Sequence, residues 1–107
     1  MLKLQPKPTF KKTVEFFDPE GNSLGKGEFI FKYQTMEQWS QYLLTLGTEG
    51  GPQNDFDVIA SITESTDAVD GEVSSESIKE FCSQLNSAAG QIIGDYVGAL
   101  GKARRKN

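Results

Sequence analysis

The sequence of 107 residues lacks histidine entirely and contains a single cysteine. Without histidine there is no Ser–His–Asp triad, no usual general base near neutral pH and no common zinc site. One cysteine cannot form an internal disulfide or a thiolate cluster. These absences argue against the familiar routes to an enzyme, and the sequence predicts neither catalysis nor a cofactor.

Long apolar runs are also missing. No segment approaches the ~20 consecutive apolar residues of a membrane span, and the start of the chain, MLKLQPKPTFKK, lacks the apolar stretch of a signal peptide. We therefore expect a soluble cytoplasmic protein that does not interact with a membrane.

The formal net charge of −4 is unevenly distributed along the chain. The first twelve residues carry +4, residues 49–80 carry −8, and the last six carry +4 before the terminal carboxylate. An acidic protein is a poor candidate for binding nucleic acid over its whole surface, so nucleic acid is not expected as a partner. The acidic middle fits either solvated loops, the simpler reading, or a surface that pairs with a partner.

The first third of the chain predicts an arm followed by a β-hairpin. Residues 1–12 hold two prolines and four lysines and are typical of an extended arm. Apolar and polar residues then alternate over Thr13–Phe17 and Glu28–Tyr33, which is the period of a half-buried strand. The glycine-rich tract 18–27 between them predicts a two-stranded hairpin over 13–34.

The remainder, residues 35–104, predicts three to four helices, with 105–107 as a basic tail end. Capping residues mark the helix starts: Thr35 with Gln38, Asn54 or Asp55, Ser74, and Asn86–Ser87. Gly47 predicts the end of the first helix, and 64–73 predicts an acidic loop. The sequence thus predicts a single α+β domain spanning 1–107.

Apolar residues at helical spacing predict the face that each helix buries. These residues are Met36, Trp39, Leu43 and Leu46; then Phe56, Ile59, Ala60 and Thr63; then Ile78, Phe81, Cys82 and Leu85; and last Ala89, Ile92, Ile93, Tyr96 and Leu100. Cys82 lies on such a face, so a small buried side chain is a better interpretation than a nucleophile.

The last helix carries Gly90, Gly94 and Gly98 at four-residue spacing, on the face opposite its isoleucines. Each glycine costs a helix interior roughly 0.8–1 kcal/mol relative to alanine. Either this smooth face lets another helix approach closely, or the helix is weak and frays at its end. The sequence leaves these two interpretations equal.

Carboxylates supply no convincing reactive site. Asp67, Asp70 and Glu72 match no calcium-loop spacing and fit a solvated linker better. Asp55 and Asp57 stand at a helix start, where the helix dipole accounts for them. No phosphate-binding or nucleophile motif is found.

Taken in order, the segments resemble the small tail assembly chaperones of long-tailed bacteriophages and prophages. The matching pieces are LKLQPKPTF (2–10), GEFIFKYQT (27–35), MEQWSQYL (36–43), the acidic middle, SSESIKEF (74–81) and IIGDYVGALGKARRKN (92–107).

The resemblance implies a non-enzymatic protein of the bacterial host cytoplasm. Such chaperones bind the long helical tape measure protein and keep it soluble while tail tube subunits assemble around it, so the tail tube protein is a second expected partner. The residues that we expect to contact a partner are Gly90, Gly94, Gly98, Lys102, Arg104, Arg105 and Lys106. In many such phages a programmed frameshift produces a longer form, and Lys106–Asn107 is compatible with the slippery codons AAA-AAC.

Two other functions remain open at this point. One is a small virion structural protein of the tail tube or head–tail connector, and the other is a regulator that binds nucleic acid through the basic ends. Self-association is also expected, because one small core leaves aromatic surface to cover.

Overall fold

The computed structural model describes residues 8–85 and 87–105, and the side chains of all of these except 102–105. Three strands and four helices make up these ranges, which confirms the α+β class. In chain order they are β1 (Thr9–Phe17), β2 (Ser23–Lys32), α1 (Met36–Leu43), α2 (Asp55–Ile62), β3 (Thr63–Thr66), α3 (Ser75–Cys82) and α4 (Ala88–Arg105).

The hairpin is longer than the sequence predicted. β1 and β2 pair antiparallel from Thr9 opposite Lys32 to Phe17 opposite Ser23, with an irregularity between Phe16 and Phe17. Residues 9–12 are therefore part of β1 and not of the extended arm that the sequence predicts; residues 1–7 lie outside the described ranges. The strand pattern does continue upstream, because Phe10 faces the same side as Val14 and Phe16.

The turn of the hairpin is closed by Asp18. Its carboxylate accepts backbone hydrogen bonds from Glu20 at 2.9 Å and Asn22 at 2.8 Å. These bonds hold the pKa of Asp18 below its usual value. Gly21 takes a φ of +89°, a conformation that glycine adopts without steric cost.

The prediction of a two-stranded sheet was wrong, because β3 adds a third strand beside β2 in the order β1-β2-β3. The residues 64–66 were expected to begin an acidic loop and are instead paired, Phe29 with Thr66 and Ile30 with Ser65. Just beyond β3, the Asp67 carboxylate accepts the backbone N–H of Glu28 at 2.9 Å. β3 has only four residues and follows α2 directly, so neither alternation nor a turn marks it in the sequence.

The start of α1 confirms the predicted capping box. The Thr35 hydroxyl accepts the Gln38 N–H at 3.0 Å, and the Gln38 side chain accepts the Thr35 N–H at 2.9 Å. The helix ends at Leu43 rather than near Gly47. Trp39 is buried as predicted, but Leu43 and Leu46 are 37% and 45% exposed, so their assignment to the buried face was wrong.

The next two helices also begin at predicted caps. The Asn54 side chain accepts the Asp57 N–H, and the Ser74 hydroxyl accepts the Ser77 N–H. The core residues of α2 are Val58, Ile59 and Ile62, followed by the buried Thr63 of β3, whereas Phe56 and Ala60 are only partly buried. On α3, Ile78 and Cys82 are buried and Phe81 is partly buried.

Helix α4 supplies the largest share of the helical core. Ala88, Ile92, Tyr96 and Leu100 are buried at four-residue spacing, while the predicted Ala89 and Ile93 pack at the edge of this set. The helices cover one face of the sheet, where Val14, Phe16, Phe29 and Phe31 are buried. None of the helices in the described ranges is both long and apolar enough to span a bilayer.

Candidate partner-binding surface

The outer face of α4 is formed by the exposed residues Gly90, Gly94 and Gly98. A Cβ atom placed on any of these glycines would meet no heavy atom within 4 Å. The buried residues Ile92 and Tyr96 lie two positions from these glycines, about 200° around the helix axis. The smooth face therefore points away from the core and is open to solvent.

Most of the basic tail lies outside what the structure describes. The backbone of Lys102, Arg104 and Arg105 forms the last turns of α4, but the structure does not describe their side chains. Lys106 lies outside the described residues. Of the partner-contact residues expected from the sequence, only the three glycines are brought together on one described surface. We call Gly90, Gly94 and Gly98 the glycine face.

A second exposed surface follows α1 and was missed by the sequence analysis. Leu44 is 74% exposed, and its neighbours Leu43 and Leu46 are also exposed. We call these three residues the leucine cluster. A signal for it was present in the sequence, since three leucines within four residues span too wide an arc for one helix face.

The leucine cluster stands on an ordered connection rather than on a loose loop. The Gly47 N–H donates to the carbonyl of Pro52 at 2.8 Å, and Pro52 is buried. Gly51 packs so closely that an added Cβ would lie 2.0 Å from the Thr45 carbonyl oxygen. These contacts fix the backbone that presents the leucines to solvent.

An open groove of about 550 Å³ lies where β2 passes into α1 and meets the end of the α4 core. Its lining is formed by Tyr33, Gln34, Thr35, Met36, Glu37, Ser40 and Leu100. The lining mixes apolar side chains with hydroxyl, amide and carboxylate groups, and it contains no nucleophile paired with a base.

The pKa shifts of Cys82 and Asp57 have structural causes, namely burial and hydrogen bonding. Burial raises the pKa of the Cys82 thiol to about 11, with a further contribution from Asp55. Such a thiol is a poor nucleophile near neutral pH. Across the described ranges, no group of three or more cysteine, aspartate or glutamate residues could hold a metal ion.

Asp57 makes a contact that the helix dipole alone does not explain. Its carboxylate accepts the Ser75 hydroxyl at 2.5 Å and the Gln53 N–H at 2.9 Å. The Ser75 bond is the main reason that the pKa of Asp57 lies below its usual value. The Asp57 side chain thereby links the start of α2 to the start of α3, so its role is structural.

The described surface therefore offers three open features: the glycine face, the leucine cluster and a groove with a mixed polar and apolar lining. Clustered exposed apolar side chains, such as the leucine cluster, are one mark of a surface that contacts another protein. The chain belongs to the phage tail assembly chaperone family, whose model matches residues 1–107. No curated protein and no solved structure gives a significant match to it.

Proposed function

We propose that this chaperone binds the tape measure protein and keeps it soluble in the host cytoplasm while the phage tail assembles. The observation that carries the proposal is the family match over the whole chain. In this proposal the protein is not an enzyme: it acts by reversible binding, and the tail tube protein is its second partner.

The glycine face of α4 is the proposed contact for a helical client. At Gly90, Gly94 and Gly98 no side chain holds an approaching helix away, so two helix backbones can come close and gain van der Waals contact. Helical propensity alone disfavours these glycines, so a docking role gives a reason for their presence. The basic residues Lys102, Arg104, Arg105 and Lys106 are proposed as further contacts, with acidic groups on the client.

The leucine cluster adds a second contact for an apolar client. Leu44 is largely exposed on an ordered backbone, so binding there costs little conformational entropy in the chaperone. The net charge of −8 over residues 49–80 opposes aggregation of the loaded complex by repulsion between copies.

Co-expression with the tape measure protein of the same tail-gene cluster tests the proposed function. The soluble fraction of the tape measure protein should rise when this chain is present. An equally insoluble client with and without the chain would contradict the proposal. If the chain instead remains in purified mature virions, it is a structural protein of the tail.

Matched variants test the proposed surfaces. Gly94→Leu fills the glycine face, and Leu44→Ser removes the most exposed large apolar side chain of the described residues. Both should lower the soluble fraction of the client. Lys79→Leu is the control, because it also adds a leucine to an exposed helical position but on α3. Equal effects of Gly94→Leu and Lys79→Leu would show that the glycine face is not the contact.

The longer frameshifted form is a separate proposal. The ending Lys106–Asn107 is compatible with AAA-AAC codons, at which a ribosome can slip. Sequencing the gene tests it, since the absence of a slippery heptamer or of an overlapping reading frame would contradict it.

A further inference from the structure

Strand β1 lies at the edge of the sheet, and no strand of the described ranges pairs with its outer side. The Tyr33 N–H donates to the Pro8 carbonyl at 2.8 Å. This bond shows that Pro8, and every second residue after it in β1, turns its backbone groups toward β2. In an antiparallel pair, every second residue turns its N–H and C=O away from the neighbouring strand. The residues whose backbone groups point to the open edge are therefore Thr9, Lys11, Thr13 and Glu15.

The side chains of these four residues lie on the sheet face away from the helices, because Val14 and Phe16 occupy the packed face. Lys11 and Glu15 have opposite charges and stand at equal distances on either side of Thr13. A two-fold axis beside Thr13 would place Lys11 of each copy directly opposite Glu15 of the other. The edge is complementary in charge to itself.

We propose that a second copy of this chain pairs along the outer edge of β1, antiparallel and centred on Thr13, to form one continuous six-stranded sheet. In this register every outward N–H and C=O from Lys11 to Glu15 finds a partner. The inference does not depend on the identity of the client protein.

The charges disfavour two alternative registers. An axis beside Lys11 would oppose two lysines, and an axis beside Glu15 would oppose two glutamates, and like charges directly opposite each other are destabilising. Within the hairpin, Glu15 already lies opposite Lys26. The proposed pairing therefore extends a row of alternating charges, with Lys26, Glu15 and Lys11 of the second copy side by side.

The packed face must accommodate the same pairing. Phe10 would lie opposite Phe16 of the second copy, so that apolar rings meet at both ends of the junction. Lys12, half-buried on this face, would lie opposite Val14 of the second copy. Its methylene stem can cover apolar surface while the ammonium group reaches water.

Lys12 also suggests the alternative to a dimer, in which its charge prevents edge pairing. An inward-pointing charge on an edge strand is one device by which proteins prevent edge-to-edge pairing. If Lys12 acts in that way, the natural chain is a monomer and only Lys12→Val dimerises, a result that would overturn the proposal. A natural chain that dimerises supports it.

Sedimentation equilibrium on the purified full chain measures the dimer directly. Lys11→Glu and Glu15→Lys should each weaken dimerisation roughly tenfold or more, since each variant loses two opposite-charge pairs and creates two like-charge pairs. The double variant K11E/E15K should dimerise like the natural chain. Mixing the two single variants should form a heterodimer, because each then supplies the charges that the other lacks.

Two further variants separate edge pairing from a general charge effect. Glu64→Lys makes the same charge change at an exposed position of β3 and should leave dimerisation unchanged. Thr13→Pro removes an N–H that points outward, which an edge strand tolerates, and should abolish the dimer without loss of circular dichroism signal. A Thr13→Pro variant that folds and still dimerises would overturn the proposal. So would a mixture of Lys11→Glu and Glu15→Lys chains that associates no more tightly than either variant alone.

Discussion

The Tyr96 hydroxyl donates a hydrogen bond to the Lys32 carbonyl oxygen at 2.8 Å and thereby ties α4 to the last residue of β2, 64 positions earlier in the chain. The same hydroxyl accepts the Gln34 side-chain N–H at 3.1 Å. The buried ring packs edge-on against Phe31 and Trp39, with centroid distances of 5.1 and 5.3 Å. One side chain thus joins the sheet, α1 and α4.

Removal of the Tyr96 hydroxyl is expected to destabilise the fold. Tyr96→Phe keeps the ring packing but leaves the Lys32 carbonyl without this donor, which should cost about 1–2 kcal/mol in unfolding free energy. Tyr42→Phe is the control, because its 2.6 Å bond to Ser61 is exposed and water can replace it. Urea unfolding measures both, and equal losses would contradict the importance of the buried bond.

Replacement of the glycine face by alanine is expected to stabilise the isolated chain. Gly94→Ala adds a Cβ that meets no atom within 4 Å, so the gain should approach the helical propensity difference of about 0.8–1 kcal/mol. Gly51→Ala should instead destabilise the protein, since its Cβ would collide with the Thr45 carbonyl. Thermal unfolding distinguishes the two. A Gly94→Ala variant that loses stability would show that the glycine face is in close contact even without a client.

Thr63→Val is expected to increase stability. The Thr63 hydroxyl oxygen is buried and has no hydrogen-bond partner within the described residues. Valine has a similar shape, favours strands and removes the unsatisfied group, so a gain of about 1 kcal/mol is expected. Thr63→Ser keeps the hydroxyl, loses the methyl group and should destabilise. A Val variant no more stable than the natural chain would indicate that water reaches the hydroxyl.

Asp57→Ala is expected to destabilise the protein at neutral pH but not in acid. The pKa of Asp57 in the folded chain lies below the ordinary 3.8, so its contribution to stability is present above that pH and is lost as the pH falls through the folded value. Asp55→Ala is the control for the helix dipole at the same helix start. Unfolding midpoints across pH measure this dependence, and a constant loss at all pH values would contradict it.

Cys82 is expected to resist thiol reagents while the protein is folded. With a pKa of about 11 rather than 9.0, its thiolate fraction at pH 8 is lower by roughly 100-fold, and burial slows the reagent further. The unfolded chain releases this proton first as the pH rises, so the thiol's contribution to stability is present below pH 9 and is lost as the pH rises toward 11. A colorimetric disulfide reagent should react quickly only in denaturant, and fast reaction of the native protein would contradict the buried position.

The features that sequence reasoning predicted correctly are local. The caps at Thr35, Asn54 and Ser74 depend on residues within three positions of each other, and the hairpin strands alternate visibly. The glycine face follows from four-residue spacing on a single helix. Each of these needs only short-range geometry, which is why the residues themselves reveal it.

The features it missed depend on distant parts of the chain. β3 is a strand because its polar residues meet the open side of β2, and nothing within Thr63–Thr66 requires this. Likewise, the outward position of Leu43 and Leu46 follows from where α1 ends and from what α4 covers, not from their apolar character.

By itself, the sequence determined the α+β class, the caps and the family resemblance, because these reside in spacing along the chain. Only the tertiary structure decided that Asp57 joins two helices and that Tyr96 binds the backbone of β2. It also decided that, among the described strands, β1 is at the edge of the sheet with Lys11 and Glu15 on it. The physical reason is that hydrogen bonds and burial act between groups close in space, and the packing of the chain determines which groups those are.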